Sequence, residues 1–162
     1  MREVRPEPLT ADAFAPFGDV IEARGAWIPI NYGMTERYND LAGVDCGDEG
    51  GRVIVSLFRG QPLDPPVLRI FERHPLGSQA FMPLGDAPYL VAVAPAGALD
   101  PQAIRVFRAA PRQGVNYRKG VWHHYLLPLA AGAEFLVIDR DGPGSNCDEV
   151  ELDPADQLQV TP

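Results

Sequence analysis

Proline and glycine recur 17 and 16 times in 162 residues, and no long helical periodicity develops between them. Proline removes a backbone donor and fixes φ, while glycine admits turn conformations closed to other residues. What such punctuation leaves is a series of short extended segments. Seven of them read as strands: Arg52–Phe58, Val67–His74, Gln79–Pro83, Tyr89–Ala94, Ile104–Arg108, Val121–Leu127 and Glu134–Asp139. Many short strands between turn clusters describe an all-β sandwich or barrel, not a sheet alternating with helices.

Helices are expected only at the periphery. Thr10 precedes Ala-Asp-Ala-Phe14, with Phe14 and Phe17 three apart and Gly18 as the stop, which predicts a short capped helix followed by a first strand from Asp19. Asp153 followed by Pro154 predicts a last helical turn. The segment Asn31–Asp40 is polar and aromatic without a clean period, as in a loop or projecting arm. A chain of this length is expected to form a single domain over residues 1–162.

All three histidines fall in two stretches, 71–85 and 114–127. Leu68, Ile70, Glu72 and His74 recur at period two, and so do Val121, His123, Tyr125 and Leu127 after the turn at Gly120. An extended backbone sends each set to one face. Gln79 and Phe81 share a face on the next segment, and Trp122 and His124 alternate away from His123. If both strands line one barrel, Glu72, His74, Gln79 and His123 converge inside it. An inward carboxylate needs a partner or a use. Imidazoles, a carboxylate, an amide and nearby arginines suit acid–base chemistry on a small polar acid. There is no phosphate loop, no nucleophile elbow, and no Ser or Cys beside an obvious base.

The net charge of −8 argues against nucleic acid or an anionic membrane surface as partner. No apolar run approaches a membrane span, and no secretory leader is evident, so a soluble, cytoplasmic protein is expected. Cys46 and Cys147 read as ordinary thiols.

The two histidine stretches resemble the paired motifs of the cupin superfamily. Glu72, His74 and Gln79 stand at the first motif's ligand positions, Gly85 closes it, and Gly120-Val-Trp-His123 stands for the second. The resemblance implies a cupin-like antiparallel β-barrel of jelly-roll type. An amide and a carboxylate replace an acid and an imidazole, so the metal-ligand set is weakened. More specifically, Ala13–Glu22, Ile30–Gly33, Glu36–Leu41, Glu72–Phe81, Gly114–Tyr117, Val121–His124, Phe135–Arg140 and Asn146–Asp148 resemble the ureidoglycolate lyase family.

That resemblance implies a homodimeric enzyme cleaving ureidoglycolate to glyoxylate and urea in purine catabolism. It points to His123, His74 and Glu72 as catalytic, and to Asn31, Arg37, Tyr38, Gln79, Phe81 and Trp122 around the substrate. Collapse of a hemiaminal requires no cofactor, and none is expected to be strictly necessary. The alternative is a labile divalent ion held by His74, His123, Glu72 and Gln79. Rival readings are a small-acid sensor, a sugar-modifying cupin, and an amidohydrolase acting on the related ureide allantoate.

Overall fold

The computed structural model describes residues 1–161; Pro162, the last residue of the expected domain, lies outside them. Strands dominate, and they stack as facing sheets without a continuous ring of hydrogen bonds. One sheet runs Asp148–Glu151, Ile70–Arg73, Trp122–His124, Tyr89–Ala94, Arg105–Ala109 and Glu7–Pro8, with Leu127–Pro128 also paired to Tyr89–Ala94. The second runs Gly18–Ile21, Gly114–Tyr117, Gln79–Pro83, Ala133–Asp141 and Arg52–Gly60. A third, small sheet joins Arg2–Val4, Leu158–Val160 and Val67–Leu68.

The apolar run Tyr89–Ala94 is buried along its whole length. Tyr89, Val91 and Val93 enter a core with Val115, Phe135 and Val137 of the facing sheet, while Leu90, Ala92 and Ala94 enter a second core with Leu68, Phe71, Trp122 and Leu158. Alternation at period two therefore supplies both cores from one strand. Tyr89 Oη donates to the Gln113 carbonyl at 2.7 Å inside the first core. Tyr89→Phe leaves that carbonyl without a donor, and urea unfolding is expected to show a loss of about 1–3 kcal/mol.

The helix at Ala11–Phe14 has its expected cap, Thr10 Oγ1 accepting from the Ala13 amide at 3.2 Å. Phe14 and Phe17 fold onto Phe107, and Phe14 also meets Tyr117, so the helix plugs one side of the sandwich. The opposite side carries the edge strands Arg52–Gly60 and Asp148–Glu151.

Several local readings need correction. Two short strands, Arg2–Val4 and Glu7–Pro8, precede the one expected to be first. The segment Val67–His74 breaks at Arg69, which puts Leu68 in the second core with Phe71 and not on the face of Glu72. A bend at Tyr125 similarly sends Leu126 to the first core and Leu127 to the second, so Leu127 does not share the face of His123. Asp153–Asp156 closes a hydrogen-bonded turn and no helix. The arm is a small ribbon, Ile28–Ile30 against Thr35–Arg37, turned through Asn31 and Tyr32, which both adopt positive φ.

Candidate functional site

Glu72 and His123 face each other across the pair Ile70–Arg73 and Trp122–His124. His74 follows directly after the first of these strands, and Glu72 Oε1 lies 3.8 Å from both His74 Nε2 and His123 Nδ1. One potential ligand atom from each of the three comes within 4.8 Å of the others.

Each imidazole is held by a backbone carbonyl. His74 Nδ1 is 2.7 Å from the Asn146 carbonyl, an acceptor, so Nδ1 carries the proton and Nε2 keeps its lone pair. Asn146 itself is anchored, its side-chain oxygen accepting from the Leu76 amide at 2.8 Å. His123 Nδ1 meets the His124 carbonyl at 3.2 Å, and its ring stacks on Tyr117 with centroids 4.1 Å apart and planes 3° from parallel. Nε2 of both His74 and His123 is buried without a hydrogen-bond partner. A buried polar atom left unpaired is costly and calls for a partner; His124 Nε2, outside the cluster, is unpaired too, so it is the convergence of the two rings on Glu72 that marks the site.

Burial sets the protonation. It pushes the His123 imidazole down to about 3, and the neighbouring His74 adds to the effect. Burial pushes the Glu72 carboxyl up, partly opposed by His74 and reinforced by Glu149, which stands directly across from Glu72 on Asp148–Glu151. The centre is thus disposed to hold a neutral imidazole beside a carboxyl that retains its proton more readily than usual. Pairs of titratable groups pushed apart in this way are fit for acid–base work.

The other expected residues distribute unevenly. Gln79 is opposite Tyr117 in register and so on the same inner face; its Nε2 donates to Asp139 at 3.0 Å, and its Oε1 is buried and unpartnered. Phe81 packs deeper, against Phe58, Tyr117 and Phe135. Trp122 lies on the far face of its strand in the second core, its Nε1 donating to the Gly97 carbonyl and Arg73 lying 4.7 Å over its ring. His124 is on that far face too, edge-on to Phe71. Asn31, Arg37 and Tyr38 sit on the ribbon, where Asn31 bonds Thr35 and Tyr38 bonds Glu36, and the chain's own fold does not bring them to Glu72.

Four neighbours were not singled out from the sequence: Tyr117, Asn146, Asp139 and Glu149. Tyr117, Asp139 and Asn146 belong to segments that resemble the family, but only register and hydrogen bonding reveal what they hold. The loop Gly43–Gly51 is also tied down. Its Asp45 amide donates to Ser78 Oγ, Asn116 donates to the Gly43 carbonyl, and Lys119 bridges Asp45 and Asp48.

Comparison with known proteins adds a consistent finding. A family model described as "Ureidoglycolate lyase" matches residues 1–160. A Burkholderia mallei (strain NCTC 10229) protein called ureidoglycolate lyase is 58% identical over 154 residues, covering 94% of this chain and 91% of its own. One from Burkholderia cepacia is 54% identical, covering 98% and 92%. Another, from Stutzerimonas stutzeri (strain A1501), is 51% identical and covers 100% and 97%.

Proposed function

The chain belongs to the ureidoglycolate lyase family, and from that premise we propose how Glu72, His74 and His123 carry out the cleavage of ureidoglycolate to glyoxylate and urea. The observation that carries the reading is their convergence: one carboxyl lies 3.8 Å from two imidazoles, with an unpaired Nε2 on each ring.

His74, its tautomer set by Asn146, accepts the substrate hydroxyl proton at Nε2. The electron pair left on oxygen forms the carbonyl of glyoxylate as the C–N bond breaks. Glu72 donates its proton to the departing urea nitrogen. The carboxylate so formed lies beside protonated His74 at 3.8 Å, and return of the proton between them restores the starting state. His123 forms a neutral wall: a cationic ring there would favour the ionised Glu72 carboxylate and leave it without a proton to donate. One proton leaves oxygen, one reaches nitrogen, and no redox change occurs.

The same three side chains fit a divalent ion, since two buried nitrogens lack partners and two imidazoles with a carboxylate form a competent open ligand set. Bound there, an ion would act as a Lewis acid on substrate oxygen. We hold it labile and not strictly required, because the fourth candidate ligand, Gln79, offers only a neutral amide oxygen. Exhaustively chelated protein is expected to keep turning over substrate. Stoichiometric metal, with activity that vanishes on chelation and returns with a divalent ion, would overturn this.

Among the described residues, no helix is long and apolar enough to cross a membrane. We place the enzyme in the cytoplasm as a homodimer, a reading supported by the exposed apolar row Val53, Val55 and Leu57 on an edge strand. The deciding experiment incubates purified protein with racemic ureidoglycolate and follows glyoxylate, urea and ammonia. Glyoxylate and urea in equal amounts support the lyase, ammonia indicates an amidohydrolase, and binding without product indicates a sensor.

A further inference from the structure

Building on the reaction just proposed, we infer that each catalytic site is finished by a second copy of the chain, whose ribbon delivers Arg37 to the substrate carboxylate. The need arises from the charges at the mouth. Ureidoglycolate is an anion, yet Glu72 is faced by Glu149, and among the described residues no arginine or lysine bonds to Glu72, His74 or His123. Arg73, next in sequence, is committed to Asp148, the Gly97 carbonyl and Trp122 on the other face. Lys119 is held between Asp45 and Asp48, and the Arg140 guanidinium by the Asp48 and Pro143 carbonyls. With Glu149 facing Glu72 and no cation of this chain bonded at the site, the substrate carboxylate calls for a guanidinium supplied from elsewhere.

The ribbon supplies one. Its two strands are three residues each, their hydrogen bonds are to one another, and Trp27, Ile28, Tyr32 and Met34 are exposed on it. A two-stranded hairpin is marginal in water without a surface to pack on. The chain carries a matching unmet surface: the nine-residue strand Arg52–Gly60 is paired along one edge only, and Val53, Val55 and Leu57 are exposed. Such an edge is a template for another chain. It also borders the site, because Ile54 pairs with Asp139, the residue that holds Gln79. A ribbon seated along this edge reaches the anionic mouth with a guanidinium of complementary charge. A two-fold arrangement makes the exchange reciprocal, so two sites are completed at once.

The test is complementation between two crippled chains. Arg37→Ala alone is expected to lose about 10²-fold in kcat/KM, with Arg37→Lys recovering little, since lysine lacks the planar fork. Glu72→Gln alone is expected to be nearly inactive. Both variants are co-expressed with different affinity tags, and the hybrid dimer is isolated. One of its two sites then combines an intact triad with an intact ribbon from the other chain, so about half the wild-type activity returns. A hybrid no more active than its parents, a wild-type protein that is monomeric at assay concentration, or Arg37→Ala with an unchanged KM would each overturn the inference while leaving the lyase reading standing. Wild-type protein that leaves ureidoglycolate intact would instead remove the lyase reading, and this one with it.

Discussion

Glu72→Gln is expected to lower kcat by about 10²–10⁴-fold, the usual cost of losing a positioned acid or base. The substitution is nearly isosteric and removes only the proton-donating carboxyl, so the melting temperature should stay close to that of the wild type. At about 1.4 kcal/mol per factor of ten, the loss corresponds to roughly 3–5 kcal/mol of transition-state stabilisation. His123→Ala should show a loss in the same range, because it opens the neutral wall beside the acid. His124→Ala, altering the far face of the same strand, should leave the chemical step much less affected. Initial rates with saturating ureidoglycolate measure all three. Equal turnover by wild type and Glu72→Gln would refute the assignment of the acid.

The second large effect is on stability against acid. Burial holds His123 down to about 3 and His124 to about 4, against 6.5 for an unhindered imidazole. Below pH 6.5 the unfolded chain takes up protons that the folded chain refuses, so stability must fall as pH drops from 6.5 toward those folded values. Each histidine contributes about 2 kcal/mol of loss between pH 7 and pH 5 by this linkage, or roughly 4 kcal/mol together. Glu72 works in the opposite sense, since its raised carboxyl gains stability as pH falls toward the ordinary carboxylate range. Urea unfolding at pH 7 and pH 5 measures the net loss. His124→Phe should shrink the difference by about half, and an unchanged pH dependence in that variant would show that His124 does not resist protonation.

The sequence made some of this legible and hid the rest for identifiable reasons. Gln79–Pro83 and Tyr89–Ala94 were bounded correctly because turn residues flank each of them. Gly114–Tyr117 lies in a segment that resembles the family but is not legible as a strand from its own residues; its neighbours Gly18–Ile21 and Gln79–Pro83 are distant in sequence, and only tertiary pairing defines it. Period two located Glu72, His74 and His123 on one face. It failed at Leu68 and Leu127, where a break at Arg69 and a bend at Tyr125 reset the parity. The Asn146 carbonyl behind His74 could not be found by residue type, since every residue has that group. Arg37 was singled out by resemblance, and the isolated fold keeps it on the ribbon.

The small sheet over the second core has a consequence for how the chain folds. Leu158–Val160 lies between Arg2–Val4, in parallel, and Val67–Leu68, so strands far apart in sequence pair with one another. Contacts between such distant segments close late, because their loop entropy must be met before they form. Until Leu158–Val160 docks, Leu158 and Val160 cannot cover Leu68 and Phe71. A chain in which this sheet has not yet formed therefore presents an open apolar face. Misassembly is favoured in that interval, when two copies still have uncovered surfaces to offer each other.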